Sequence, residues 1–269
     1  MDWLERKYQR SFMEDKNPQK DGCVLNWKNK ITRQKDFIMK KTFITMILDE
    51  TGSMSSRRKT AIESTNEFIN AHKEIPDCFV SLVTFDQRHA FSLLPGTTVE
   101  SVRFVYENVK ASETPVLTEA QYSPNGMTNL YDAIGSSIRR MEAATKTHDD
   151  PTVIIMVNTD GEENASTEFD GPTVRKMIEE KKEAGWQFVF IGEELDTNRS
   201  GALAKSLNIS GDMTVNVTGL NKGAVFRGLA AATCAYSADV NSGMVAKGAS
   251  VLSSYIQTHV DGDQGAEKQ

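Results

Sequence analysis

Three short stretches of the chain carry hydroxyl and carboxylate side chains in patterns suited to a hard cation. The first is LDETGSM, where Asp49, Thr51 and Ser53 are spaced by two and Gly52 permits a tight backbone turn. The second is Asn158-Thr159-Asp160-Gly161, and the third is Met127-Thr128-Asn129. Together they offer two carboxylates, Asp49 and Asp160, and three hydroxyls, Thr51, Ser53 and Thr128. All of these donors are hard oxygens, which suits Mg²⁺, Mn²⁺ or Ca²⁺ and not Zn²⁺. Hydroxyls are weak neutral ligands. A cation bound directly by hydroxyls, with its carboxylates held through water, is short of compensating charge and keeps a position open for an outside carboxylate. Such a site suits docking better than ion storage.

The elements that would position these residues follow from hydropathy. Residues 43–48 (FITMIL) and 152–157 (TVIIMV) are short, almost wholly apolar runs, as expected of strands buried on both faces. Further strands are predicted over 78–85, 187–191 and 213–217. A turn at Asp86-Gln87-Arg88 leads to another expected strand over 89–94, giving one antiparallel hairpin. Apolar stripes at helical spacing predict helices over 56–75, 129–144, 172–184, 197–207 and 222–236, and a short one over 99–109. Residues 111–127, with Pro115, Pro124 and Gly126, read as a long functional loop. Strand and helix alternate, so the expected fold is a doubly wound α/β domain. Its six-stranded sheet is mostly parallel with one antiparallel edge hairpin, and helices lie on both faces. Ligands of such sheets sit at the carboxyl ends of the strands. Each of the three stretches lies at a strand end or at the helix start after the long loop. They converge if the first and fourth strands are neighbours.

These motifs carry a family resemblance. LDETGSM resembles the DxSxS motif of von Willebrand factor A (VWA) domains. Tyr122–Ile134 (YSPNGMTNLYDAI) resembles the segment that supplies the family's metal-binding threonine, and Asn158–Asn164 (NTDGEEN) the segment with its second aspartate. The three occur in the family's order, and the resemblance spans about residues 40–238. It implies a metal-ion-dependent adhesion site (MIDAS) in which Thr51, Ser53 and Thr128 are direct ligands and Asp49 and Asp160 act mainly through water. It further implies a sixth position open to solvent or to a partner's acidic side chain. Thr51 stands where the family most often has serine, and the hydroxyl is kept. The overall style is similar to stand-alone VWA proteins of bacteria and their phages.

Composition narrows the remaining choices. With 269 residues, 39% hydrophobic, 25% charged and a net charge of −6, the chain is neither collagen-like nor bulk-disordered. No apolar run approaches the roughly 18–20 residues of a membrane span, and the overall acidity argues against a nucleic-acid-binding body. Cys23, Cys78 and Cys234 form no CxxC pair, and the N-terminus lacks an apolar leader, so a reducing, cytoplasmic setting is expected. Charge is unevenly spread: residues 1–41 carry +5 and the remainder −11. Residues 1–39 read as a basic, partly helical extension, either a solvated helix and linker or an arm for an acidic partner. Residues 239–269 read as a last helix over 248–260 and a disordered tail.

Two other classes of function compete with cation-dependent protein binding. One is a Mg²⁺-dependent phosphatase of the haloacid-dehalogenase type, but that chemistry needs a second carboxylate two residues after the nucleophile, and Thr51 stands there. The other is an assembly role, in a phage particle or beside an AAA+ ATPase. Asp132, one turn into its helix, reads as structural. Glu50, Glu162 and Glu163 read as exposed loop acids. His72, on an apolar stripe, reads as a core-edge residue, and Met127, Met141, Met156 and Trp186 as packing.

Overall fold

A computed structural model of the chain describes residues 40–87, 100–218 and 221–266. The expected strand over 89–94, the basic extension with Cys23, Trp3 and Trp27, and the last three residues lie outside the described residues.

The sheet has six strands: β1 (Thr42–Asp49), β2 (Cys78–Phe85), β3 (Val102–Lys110), β4 (Thr152–Thr159), β5 (Gln187–Glu193) and β6 (Thr214–Val217). Their order is β3-β2-β1-β4-β5-β6. All neighbours are parallel except β2 and β3, which run antiparallel at one edge. β1 and β4 are entirely buried at the centre, which is why their sequences are apolar runs without alternation.

β3 overturns the expectation of a helix over 99–109. Val102, Val105, Tyr106 and Val109 mimic a helical stripe, whereas Val102, Phe104 and Tyr106 alternate as a strand should. The strand is only half buried at the sheet edge, and its pairing with β2 is broken by register shifts on either side of Leu82. These irregularities, with Asn108 in the left-handed region at φ 49°, blur the two-residue period.

Among the described residues six α-helices flank the sheet: α1 (Arg58–Ala71), α2 (Leu130–Thr145), α3 (Gly171–Glu183), α4 (Thr197–Ser206), α5 (Lys222–Asn241) and α6 (Ala249–Ala266). α1 packs on α5 and α5 on α6, while α2 packs on α3. α6 continues as helix past the expected end at Val260, and Leu252, Ile256 and Val260 join the same core as the sheet. α5 and α6 approach closely at Gly228, where a Cβ would stand 2.9 Å from the backbone of Val260. His72 lies deeper than the core edge: it is fully buried, and burial lowers its pKa to about 4. Its Nδ1 donates to Phe68 O at 2.8 Å, so the neutral ring presents Nε2 to Thr233 Oγ1 at 2.9 Å. Met141, Met156 and Trp186 are buried, and Met127 is half-buried. Among the described residues, no helix is long and apolar enough to cross a membrane.

Candidate metal centre

β1 and β4 are adjacent, so their carboxyl ends bring Asp49 and Asp160 to one edge of the sheet. Leu48 pairs in register with Asn158, which sets Asp49 beside Thr159. Asp49 is fully buried, and both of its oxygens accept hydrogen bonds: Oδ1 from Thr51 N–H at 2.8 Å and Oδ2 from Thr159 Oγ1 at 2.6 Å. Burial raises its pKa to about 6 against the pull of those bonds, and the neighbouring charge of Asp160 adds to the rise. No ion pair to Asp49 is present among the described residues.

After β1 the chain makes a 3₁₀ turn, Gly52–Arg57, that turns Ser53 outward and buries Met54. Thr51 Oγ1 lies 3.1 Å from Ser53 Oγ, and Ser53 Oγ donates to Asp160 Oδ1 at 2.7 Å. Thr51 is buried and Ser53 exposed, so the row of oxygens runs from the interior to the surface.

The long loop brings Thr128 to the same place. Gly52 N–H donates to Gly126 O at 3.2 Å and Asn125 N–H to Glu50 O at 2.8 Å, tying the loop to the first motif. Gly126 needs its glycine: its φ is 74°. Thr128 N–H donates to Asn164 Oδ1 at 2.9 Å, and its carbonyl accepts from Asn164 and Ala165 N–H, tying it to the third motif. A Cβ on Gly161 would stand 3.4 Å from Thr128 Oγ1, so glycine there leaves the hydroxyl unobstructed. Thr128 does not cap α2: Asn129 holds the N-cap position, and no side-chain capping bond is made there.

Thus Asp49, Thr51, Ser53 and Asp160 are linked by hydrogen bonds, and Thr128 Oγ1 lies beside Gly161, the residue after Asp160. Their oxygen spacing fits a small hard cation. Cis oxygens of an octahedron with bonds of 2.0–2.1 Å stand about 2.9–3.0 Å apart, close to the 3.1 Å between Thr51 and Ser53. Among the described residues no group of three His, Cys, Asp or Glu side chains could hold a metal.

The reading of the neighbouring acids needs correction. Glu50 is buried and not an exposed loop acid: Arg103 Nη2 bonds its Oε2 at 2.7 Å, and Ser123 N–H donates to Oε1. Glu163 is half-buried, accepting from the N–H groups of Tyr131, Ala165 and Ser166 and from the Ser166 hydroxyl. Glu162 is exposed as expected. Asp132 is structural as expected: its carboxylate accepts from the backbone N–H of Thr167, Glu168 and Phe169. Three participants were missed by sequence reasoning. Thr159 is flagged only by register with Asp49. Tyr122, whose hydroxyl donates to Asp49 O at 2.5 Å, left no local signal. Arg57, bonded to Asp160, lies four residues after Ser53, a spacing that could have marked it.

No protein-family model and no curated protein sequence matches the chain. Solved structures do. The pilus adhesin SpaC from Lactobacillus rhamnosus GG matches with a TM-score of 0.52 at 12% identity, over 82% of this chain and 30% of that one. The vWF domain of the type V pili tip protein Mfa5 from Porphyromonas gingivalis matches with a TM-score of 0.52 at 12% identity, over 77% of this chain and 97% of that one. Proximal thread matrix protein 1 from the mussel byssus, solved with a zinc-occupied MIDAS motif, matches with a TM-score of 0.50 at 12% identity, over 72% of this chain and 48% of that one. The chain therefore spans under a third of the adhesin and about half of the byssus protein, but nearly all of the Mfa5 domain. The fold is that of a von Willebrand factor A domain.

Proposed function

We propose that this chain is a divalent-cation-dependent protein-binding domain. Thr51, Ser53 and Thr128 bind the cation directly, while Asp49 and Asp160 support it mainly through water. The remaining position takes an acidic side chain from a protein partner. The observation that carries this reading is the row of oxygens Thr51 Oγ1, Ser53 Oγ and Asp160 Oδ1, with steps of 3.1 Å and 2.7 Å, beside buried Asp49. Buried Asp49, with no ion pair among the described residues, supplies an electrostatic demand for a cation. The hard oxygen donors suit Mg²⁺, Mn²⁺ or Ca²⁺. The free cysteines Cys78 and Cys234 support a reducing, cytoplasmic setting.

The direct test is isothermal titration and thermal unfolding with Mg²⁺, Mn²⁺, Ca²⁺ and Zn²⁺, comparing wild type with Asp49→Ala and Thr128→Ala. We expect the wild type to bind Mg²⁺ or Mn²⁺ with a rise in Tm, and both variants to lose the response. A wild type indifferent to all four ions would sink the metal reading. Retention from the native host that EDTA abolishes would identify the partner. Co-elution of an ATPase favours an adaptor, and of a capsid or tail protein a particle component. We read the domain as non-enzymatic; cation-dependent hydrolysis of a phosphomonoester, lost in Asp49→Asn, would overturn that.

A further inference from the structure

Arg57 closes the 3₁₀ turn one turn past Ser53. Its Nη1 donates to Asp160 Oδ2 at 2.6 Å and to Ser53 O at 3.1 Å. The Asp160 side chain is 4% accessible and that of Arg57 28%, so the pair sits at the mouth of the oxygen row with the arginine outermost. Both Asp160 oxygens are engaged, Oδ1 by Ser53 Oγ and Oδ2 by the guanidinium. Among the described residues Asp49 has no comparable counter-charge. The other nearby cations are committed elsewhere: Arg103 holds Glu50, and Lys222 holds Glu193.

We propose that Arg57 is a built-in competitor for the divalent cation, holding Asp160 in the cation-free chain and lowering the affinity of the site. The inference rests on the metal reading above. The charges decide its sign. Two carboxylates balance one divalent ion, and a third positive charge beside them leaves a surplus that repels the ion. A guanidinium stays charged at all accessible pH, so the repulsion is permanent. Its partial exposure makes the repulsion sensitive to salt. The same surplus favours an anionic group at the open position.

Isothermal titration of the full chain with Mn²⁺ tests this, using Arg57→Gln, Arg57→Met, Arg57→Lys and, as a control, Lys59→Gln. Lys59 is exposed and pairs with Glu63 at 3.8 Å. At low salt we expect Arg57→Gln and Arg57→Met to bind Mn²⁺ about tenfold more tightly than wild type, as expected for one charge removed near a solvent-exposed ion. The gap should narrow at high salt. Arg57→Lys and Lys59→Gln should stay near wild type. Thermal unfolding without metal verifies that each variant folds, and Mn²⁺ should raise Tm further in Arg57→Gln than in wild type. Equal or weaker Mn²⁺ binding by folded Arg57→Gln and Arg57→Met, with wild type binding normally, overturns the role of Arg57 alone. Absence of binding in wild type and variants alike overturns the metal reading and this inference with it.

Discussion

Two groups of acids meet around the same end of the sheet and behave oppositely. Asp132 and Glu163 are saturated: each carboxylate accepts backbone N–H groups from the strap that follows β4, and each draws loop and helix together. Asp49 and Asp160 accept bonds from a hydroxyl each, with a backbone N–H added at Asp49 and the Arg57 guanidinium at Asp160, and lie in a row that opens outward. Asp132 and Glu163 spend most of their acceptor capacity on the protein's own backbone and act as internal fasteners. The row of hydroxyls and acids keeps oxygen lone pairs in reserve. Proximity to a site is thus a poor guide to a role in it, and the number of donors already facing an acid is a better one.

The largest expected effect is on the saturated side. Asp132→Ala leaves three backbone N–H groups without their acceptor and should lower the unfolding free energy by about 3–5 kcal/mol, read by urea denaturation. A loss below about 1 kcal/mol would break the distinction. Next is Gly135→Ala, on the same helix. A Cβ there would meet the Phe169 ring at 2.6 Å, and the overpacking should cost about 1–3 kcal/mol. Cation binding should survive in Gly135→Ala, because the oxygen row is untouched; its loss would show that fastener and site are not separable. The smallest change in stability belongs to the open side. Asp49→Asn removes a buried charge and keeps the shape, so the metal-free stability should change by less than about 1 kcal/mol, in either direction. The same variant should nevertheless lose the Mn²⁺-induced rise in Tm. A strongly destabilised Asp49→Asn would place Asp49 among the fasteners instead.

Much of the fold was legible because its central strands are buried on both faces and therefore apolar throughout, and because the helices carry clean stripes. β3 was not legible: at a half-solvated edge with shifted register, neither period dominates. The five oxygen-bearing residues stood out because each lies directly after a strand or before a helix, where the chain itself announces the position. Arg57 and Thr159 lie in equally local sequence but act through partners about a hundred residues away, and only the pairing of β1 with β4 brings those partners near. Glu50 was misread for a related reason. A glutamate following a strand looks like surface until Arg103, on a strand first taken for a helix, is set against it.

The hydrogen bond from Thr159 to Asp49 spans 110 residues of chain, and that from Ser53 to Asp160 spans 107. Segments this distant meet only after the two central strands have paired, a late and entropically costly closure. An ion seated between them finds nothing to hold in the unfolded ensemble. Under the metal reading it would be a clasp on the finished domain, so its kinetic signature should be slower unfolding with the refolding rate nearly unchanged.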